Sequence, residues 1–165
     1  MPYTPTVKKK IFINVNGDDP NLAKAVIVYS SSKGATKSIG ELIAEGIRSG
    51  GHEATVINAT SIKTDSDLRG YDAYDFGSPT YHGEMLETMK DMLFLAQKAK
   101  LEGKIGGSFG AFGWSGEATD RIYDTMKNIL NMDMVIGALR LKSSLLQDGP
   151  KIAREYGAEI AKKMR

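Results

Sequence analysis

From residue 25 onward, short apolar runs alternate with longer segments of helical period. Ala25-Val26-Ile27-Val28-Tyr29 is apolar at every position, as a strand covered on both faces requires. Residues 36–48 then place Ile39, Leu42, Ile43 and Ile47 on one helical face, and Gly50-Gly51 stops the helix. A second strand is expected at 54–57, a short helix or turn at 66–69 and a third strand at 71–77. Met85, Met89, Met92, Leu93 and Ala96 make the next helical stripe, a pattern typical of a core face. A fourth strand at 105–110, a helix at 117–130 with Ile122, Met126 and Ile129 inward, and a fifth strand at 135–141 follow. Gly149-Pro150 starts the last helix, lined by Ile152, Tyr156 and Ile160.

This alternation predicts an α/β domain over residues 25–165, a doubly wound five-stranded parallel sheet flanked by helices. Asp75 interrupts the pattern, because the middle of a doubly covered strand should be apolar. It needs a hydrogen-bonding partner or a wet site. Residues 1–24 stand outside the alternation as an N-terminal arm containing Ile11-Phe12-Ile13-Asn14-Val15 and a turn at Gly17-Asp18-Asp19-Pro20. Such an arm adds a strand to a sheet edge, pairs with another subunit to form a homodimer, or docks loosely.

Composition narrows the function. The 165 residues suit one domain, and 41% hydrophobic with 25% charged residues is a globular balance. The sequence has no apolar run of membrane-spanning length and no signal-peptide core after Met1, so the cytoplasm is the expected location, without membrane attachment. With no cysteine, and with His52 and His82 far apart, disulfides, iron–sulfur clusters, thiol nucleophiles and a built-in metal are not expected. A net charge of +2 without a basic helix argues against nucleic acid as a partner.

Ligands of doubly wound sheets bind beyond the carboxyl ends of the strands, where three loops of this chain should converge. The first, Ser30, Ser31, Ser32, Lys33, Gly34, Ala35 and Thr36, joins a strand to a helix start. Its hydroxyls and the unpaired first-turn N–H groups suit a phosphate, although Ser and Thr at such a place also serve as ordinary caps. The second, Ser78, Pro79, Thr80, Tyr81, His82 and Gly83, and the third, Ala111, Phe112, Gly113, Trp114, Ser115 and Gly116, bring aromatic rings among glycines. The ligand these loops imply is a phosphate attached to a flat aromatic ring system. Neither a Walker A sequence nor any G-x-G occurs, which leaves nucleoside triphosphates and dinucleotides unsupported.

Ser31-Ser32-Lys33-Gly34-Ala35-Thr36 resembles the phosphate loop of flavodoxins, with Gly34 and Thr36 in register and Lys33 where a threonine is common. Residues 77–83 resemble the second flavin loop of that family. Residues 109–116 are most similar to the third loop in the flavodoxin domain of flavodiiron, or A-type, flavoproteins. The resemblance implies noncovalent FMN, its phosphate on the first loop and its ring between the other two, with Tyr81 and Trp114 as candidates for the ring faces. It implies an electron carrier between redox proteins, with no catalytic side chain of its own. An FMN-dependent NAD(P)H:quinone reductase and a flavin-free interaction module are the alternatives. Flavodoxins are typically acidic, whereas this chain is slightly basic, so its expected partner is an acidic iron–sulfur protein.

Overall fold

The computed structural model describes residues 22–142 and 148–164; Ile11 to Val15 and the rest of the arm before Leu22 lie outside the described residues. β1 (Lys24–Tyr29) pairs in parallel with β2 (Glu53–Asn58) on one side and β3 (Ala73–Gly77) on the other. β4 (Ile105–Ala111) continues the sheet beyond β3, and its far edge carries β5 (Asp133–Met134) and β6 (Leu139–Leu141). The strand order is β2-β1-β3-β4-β5, with β6 also on β4, and all pairings are parallel. The order reverses between β1 and β3, where a crevice opens at the carboxyl ends.

Helices α1 (Ala35–Ser49) and α4 (Gly149–Lys163) cover one face, enclosing Ile27, Ile39, Ile43, Ile47, Phe109 and Ile160. On the other face, α2 (Glu87–Lys98) and α3 (Glu117–Asn128) bury Val26, Val28, Tyr74, Phe76, Met89, Met92, Ile122 and Met126. Alternate residues of β1 serve opposite clusters, as the two-residue period of a strand dictates. The turn expected at 66–69 is a 3-10 segment, Asp65–Leu68, stabilised by a capping box between Thr64 and Asp67.

Several positions depart from the sequence pattern. The third strand begins at Ala73, and Tyr71 instead packs against the core from the preceding turn. Met85 packs on the α2 cluster from ahead of the helix. The expected single fifth strand is two short pieces, because Gly137 takes φ 74° and draws the chain off β4, leaving Ile136 97% exposed. Tyr156 repairs the gap: its hydroxyl accepts the Ser108 N–H at 3.1 Å and donates to the Gly137 carbonyl at 2.8 Å. Helix α3 ends at Asn128, so Ile129 lies past the inward face and is 56% exposed.

Helix α4 buries Ala153, Gly157, Ile160 and Ala161 and leaves Ile152 40% exposed, one residue out of step with the apolar row. The reason is its close crossing with α1. A β-carbon on Gly157 would stand 2.1 Å from the Ile43 carbonyl oxygen, and one on Gly46 would stand 2.1 Å from that of Arg154. Only glycine permits this approach. Gly157→Ala should therefore destabilise the fold by about 1–3 kcal/mol, read as a lower urea midpoint with an unchanged slope.

Asp75 is 1% exposed, points to the α1–α4 side, and has no hydrogen-bond partner for either carboxylate oxygen. Its Oδ1 and the Tyr156 hydroxyl both crowd the space over Gly107, each 3.1 Å from where a β-carbon would lie. Burial raises the Asp75 carboxyl well above its ordinary 3.8, and burial followed by the Asp75 charge raises the Tyr156 phenol. The folded state thus favours the neutral acid, a contribution complete below the unfolded value and lost as pH rises through the raised one. Melting temperatures of wild type and Asp75→Asn between pH 4 and 8 check this. The variant should gain on wild type as pH rises, whereas a constant difference contradicts a raised value.

Candidate functional site

The three loops meet at the carboxyl edge around a cleft of about 230 Å³. Its walls are Ser31, Ser32, Lys33, Ala35 and Thr36 after β1; Pro79, Thr80 and Tyr81 after β3; Ala111, Phe112 and Gly113 after β4; and Lys142 after β6.

The first loop turns on Gly34, whose φ of 86° places it in the left-handed region just before α1. Its N–H donates to Ser31 Oγ at 2.8 Å, and its carbonyl accepts from both the backbone and side chain of Ser38. Thr36 follows in the first turn, 1% exposed, with no hydrogen-bond partner for its Oγ1. A buried orphan hydroxyl is costly, and here it sits among the unpaired N–H groups of a helix start. That combination suits an anionic ligand.

Loop two is shaped by a tight reversal. Tyr81 and Glu84 exchange backbone hydrogen bonds at 2.8 and 2.9 Å, with His82 and Gly83 between them at φ 51° and 77°. Two successive positive φ values define a primed turn, which presents Tyr81 at its base. Tyr81 is 40% exposed, and its hydroxyl lies 2.6 Å from Ser32 Oγ, linking the first two loops. Ser78 is fully buried, donating to the Pro79 carbonyl and accepting the Leu86 N–H. Thr80 Oγ1 accepts the Ala118 N–H at 3.0 Å, tying this loop to the start of α3.

In the third loop the Phe112 N–H donates to the Leu141 carbonyl at 3.0 Å, which fixes Phe112 in the wall and brings Lys142 beside it. Trp114 is 98% exposed. A hydrogen bond from the Ser115 hydroxyl holds the Glu117 carboxyl below its ordinary value. Gly116 is buried where a β-carbon would stand 2.9 Å from Arg140 Cδ.

Of the residues singled out from sequence, ten line the cleft and the others surround it. Ser30 is buried and occupied elsewhere: its N–H donates to the Gly77 carbonyl and its Oγ accepts from Thr88. Gly34, Ser78 and Gly116 shape the loops, while His82, Gly83, Trp114 and Ser115 stand outside the wall. Ala111, at the head of the third loop, lines the cleft as well, and sequence reading missed Lys142. Ala111 ends β4, and Lys142 reaches the cleft only because β6 aligns with β4. Among the described residues, no group of three His, Asp or Glu could hold a metal ion, and no helix is long and apolar enough to cross a membrane.

A doubly wound sheet with an anion seat and aromatic walls at its switch point is a mononucleotide-binding architecture. The family model for the flavodoxin domain matches residues 26–139, and the chain belongs to that family. A diflavin flavoprotein A of Nostoc sp. is 29% identical over 142 residues, covering 84% of this chain and 25% of that protein. A type A flavoprotein of Rhodobacter capsulatus is 28% identical over 148 residues, covering 82% and 32%. This chain therefore spans about a third or less of those two relatives. A solved flavodoxin from the domain Archaea superposes with a TM-score of 0.81 at 32% identity, covering 86% of this chain and 98% of that one.

Flavodoxin domains bind FMN, and the residues here fit it: the orphan Thr36 hydroxyl suits the phosphate, and Tyr81 and Phe112 suit the ring. Thr36→Val should weaken FMN about tenfold or more, the value of a hydrogen bond to a charged group, and leave riboflavin affinity unchanged. Fluorescence titration with both flavins measures it. The same change should slightly raise the melting temperature of the flavin-free protein by removing a buried unpaired hydroxyl.

Proposed function

We propose that this chain is an FMN-binding electron-transfer module that passes electrons between redox proteins. The observation that carries the proposal is the convergence of an anion seat at Thr36 with Tyr81 and Phe112 on one cleft. Ser31 to Thr36 would hold the phosphate, and the loops around Tyr81 and Phe112 would hold the ring. Trp114, set between Gly113 and Ser115 in open solvent, is the residue available to cover the ring's outer face. FMN supplies one- and two-electron chemistry, while the protein binds it, limits water around it and sets the charge near it.

The partner would be an acidic iron–sulfur protein. Both cleft lysines, Lys33 and Lys142, are exposed, and the chain carries a net charge of +2. Association with such a partner should slow steeply as salt rises, since exposed charges a Debye length apart are screened.

The test is purification in the presence of FMN, followed by stopped-flow electron exchange with an acidic ferredoxin across a salt series. A yellow protein that exchanges electrons more slowly at high salt supports the proposal. A colourless protein that ignores added FMN points instead to an interaction module. Sustained NAD(P)H consumption with a quinone identifies a reductase. If Trp114 covers the ring, Trp114→Ala should restore part of the bound flavin's quenched fluorescence.

A further inference from the structure

The cleft carries a cation at each end and no carboxylate in its wall. Lys33 lies in the loop after β1 and Lys142 directly follows β6, three strand positions away across β3 and β4, a separation of the two strands of roughly 14 Å. The carboxylates nearby are engaged with other groups. Asp120 pairs with Arg140, Glu84 pairs with Lys90 and Arg121, and Glu117 takes the Ser115 hydroxyl. Among the described residues, neither Lys33 nor Lys142 pairs with a carboxylate. Lys33 belongs to the anion seat. Lys142 stands at the opposite, aromatic end, set there by the bond from the Phe112 N–H to the Leu141 carbonyl.

A phosphate accounts for only one of these cations. We propose that Lys142 tunes the redox balance of the site by stabilising negative charge on the reduced ring, an inference that rests on the FMN reading above. Reduction of the ring by two electrons from a protein or dithionite donor, with uptake of one proton, leaves it with one net negative charge. In its oxidised form the ring is neutral. Lys142 therefore favours the reduced form over the oxidised one, while Lys33 acts on the phosphate, whose charge does not change with redox state. Lys142 is exposed, so its effect is that of a solvent-screened pair, about two- to fivefold in relative affinity.

The experiment compares dissociation constants for oxidised and dithionite-reduced FMN, with the two-electron midpoint potential, in wild type, Lys142→Gln, Lys142→Arg and Lys33→Gln. Lys142→Gln should leave oxidised FMN within about twofold and weaken reduced FMN a further two- to fivefold, lowering the midpoint by about 10 to 20 mV. Lys142→Arg should retain the wild-type ratio, and the Lys142→Gln effect should shrink in high salt. Lys33→Gln should weaken both forms equally. Equal weakening of both forms by Lys142→Gln, or none, overturns the assignment while leaving FMN binding intact. A wild-type chain that binds neither form overturns the cofactor reading and this inference together.

Discussion

The hydrogen bond from the Ser30 N–H to the Gly77 carbonyl, 2.9 Å long, ends the β1–β3 ladder and determines where the cleft can open. Above it the two strands part, one chain turning into α1 on one face and the other leading to α2 on the opposite face. Thr88 on α2 donates to Ser30 Oγ, so the same serine joins both strands and the second helix. Ser78 continues the arrangement toward β4 by donating its N–H to the Phe109 carbonyl. The anion seat and the aromatic wall are thus built outward from one buried hydrogen-bonded line across three strands. Buried, satisfied polar groups of this kind hold a unique geometry because every alternative leaves one of them unpaired.

The sheet beneath is asymmetric in how it is covered. On the α2–α3 side, methionines and aromatic rings fill the space, with Tyr74 edge-on to both Tyr71 and Phe76. On the α1–α4 side, the helices approach so closely that glycines replace side chains at the crossing, and the Phe109 ring occupies the space beside Gly77 and Gly40. A β-carbon on Gly77 would lie 2.4 Å from that ring. The glycines of β3 and β4 are thus matched to the large side chains of their neighbours, a jigsaw that fixes strand and helix positions together.

Much of this was legible in the chain. The apolar run 25–29 and the stripe of Ile39, Ile43 and Ile47 mark a doubly covered strand and its helix, and the loops after β1, β3 and β4 follow from that alternation. The misreadings share a cause. Ile136, Ile129 and Ile152 are apolar yet exposed, since their burial depended on where a strand broke, a helix ended and two helices crossed, none of which a local period encodes. Small residues at the α1–α4 crossing carried the contact that the larger Ile152 suggested. Lys142 was invisible for a related reason, as its place beside the cleft depends on a three-residue strand aligning with β4 after an interruption. Asp75 was conspicuous in sequence, but the hydrogen-bonding partner expected for it was not found: its carboxyl is buried without one, beside the Tyr156 hydroxyl over Gly107.

That carboxyl makes folding itself a proton reaction. At any pH between the unfolded value and the raised folded one, a chain that folds must draw a proton from solvent to Asp75. The heat released on folding then includes the ionisation heat of whatever buffer gave up the proton. Two buffers of equal pH and different ionisation enthalpy would report different folding enthalpies for one and the same native structure.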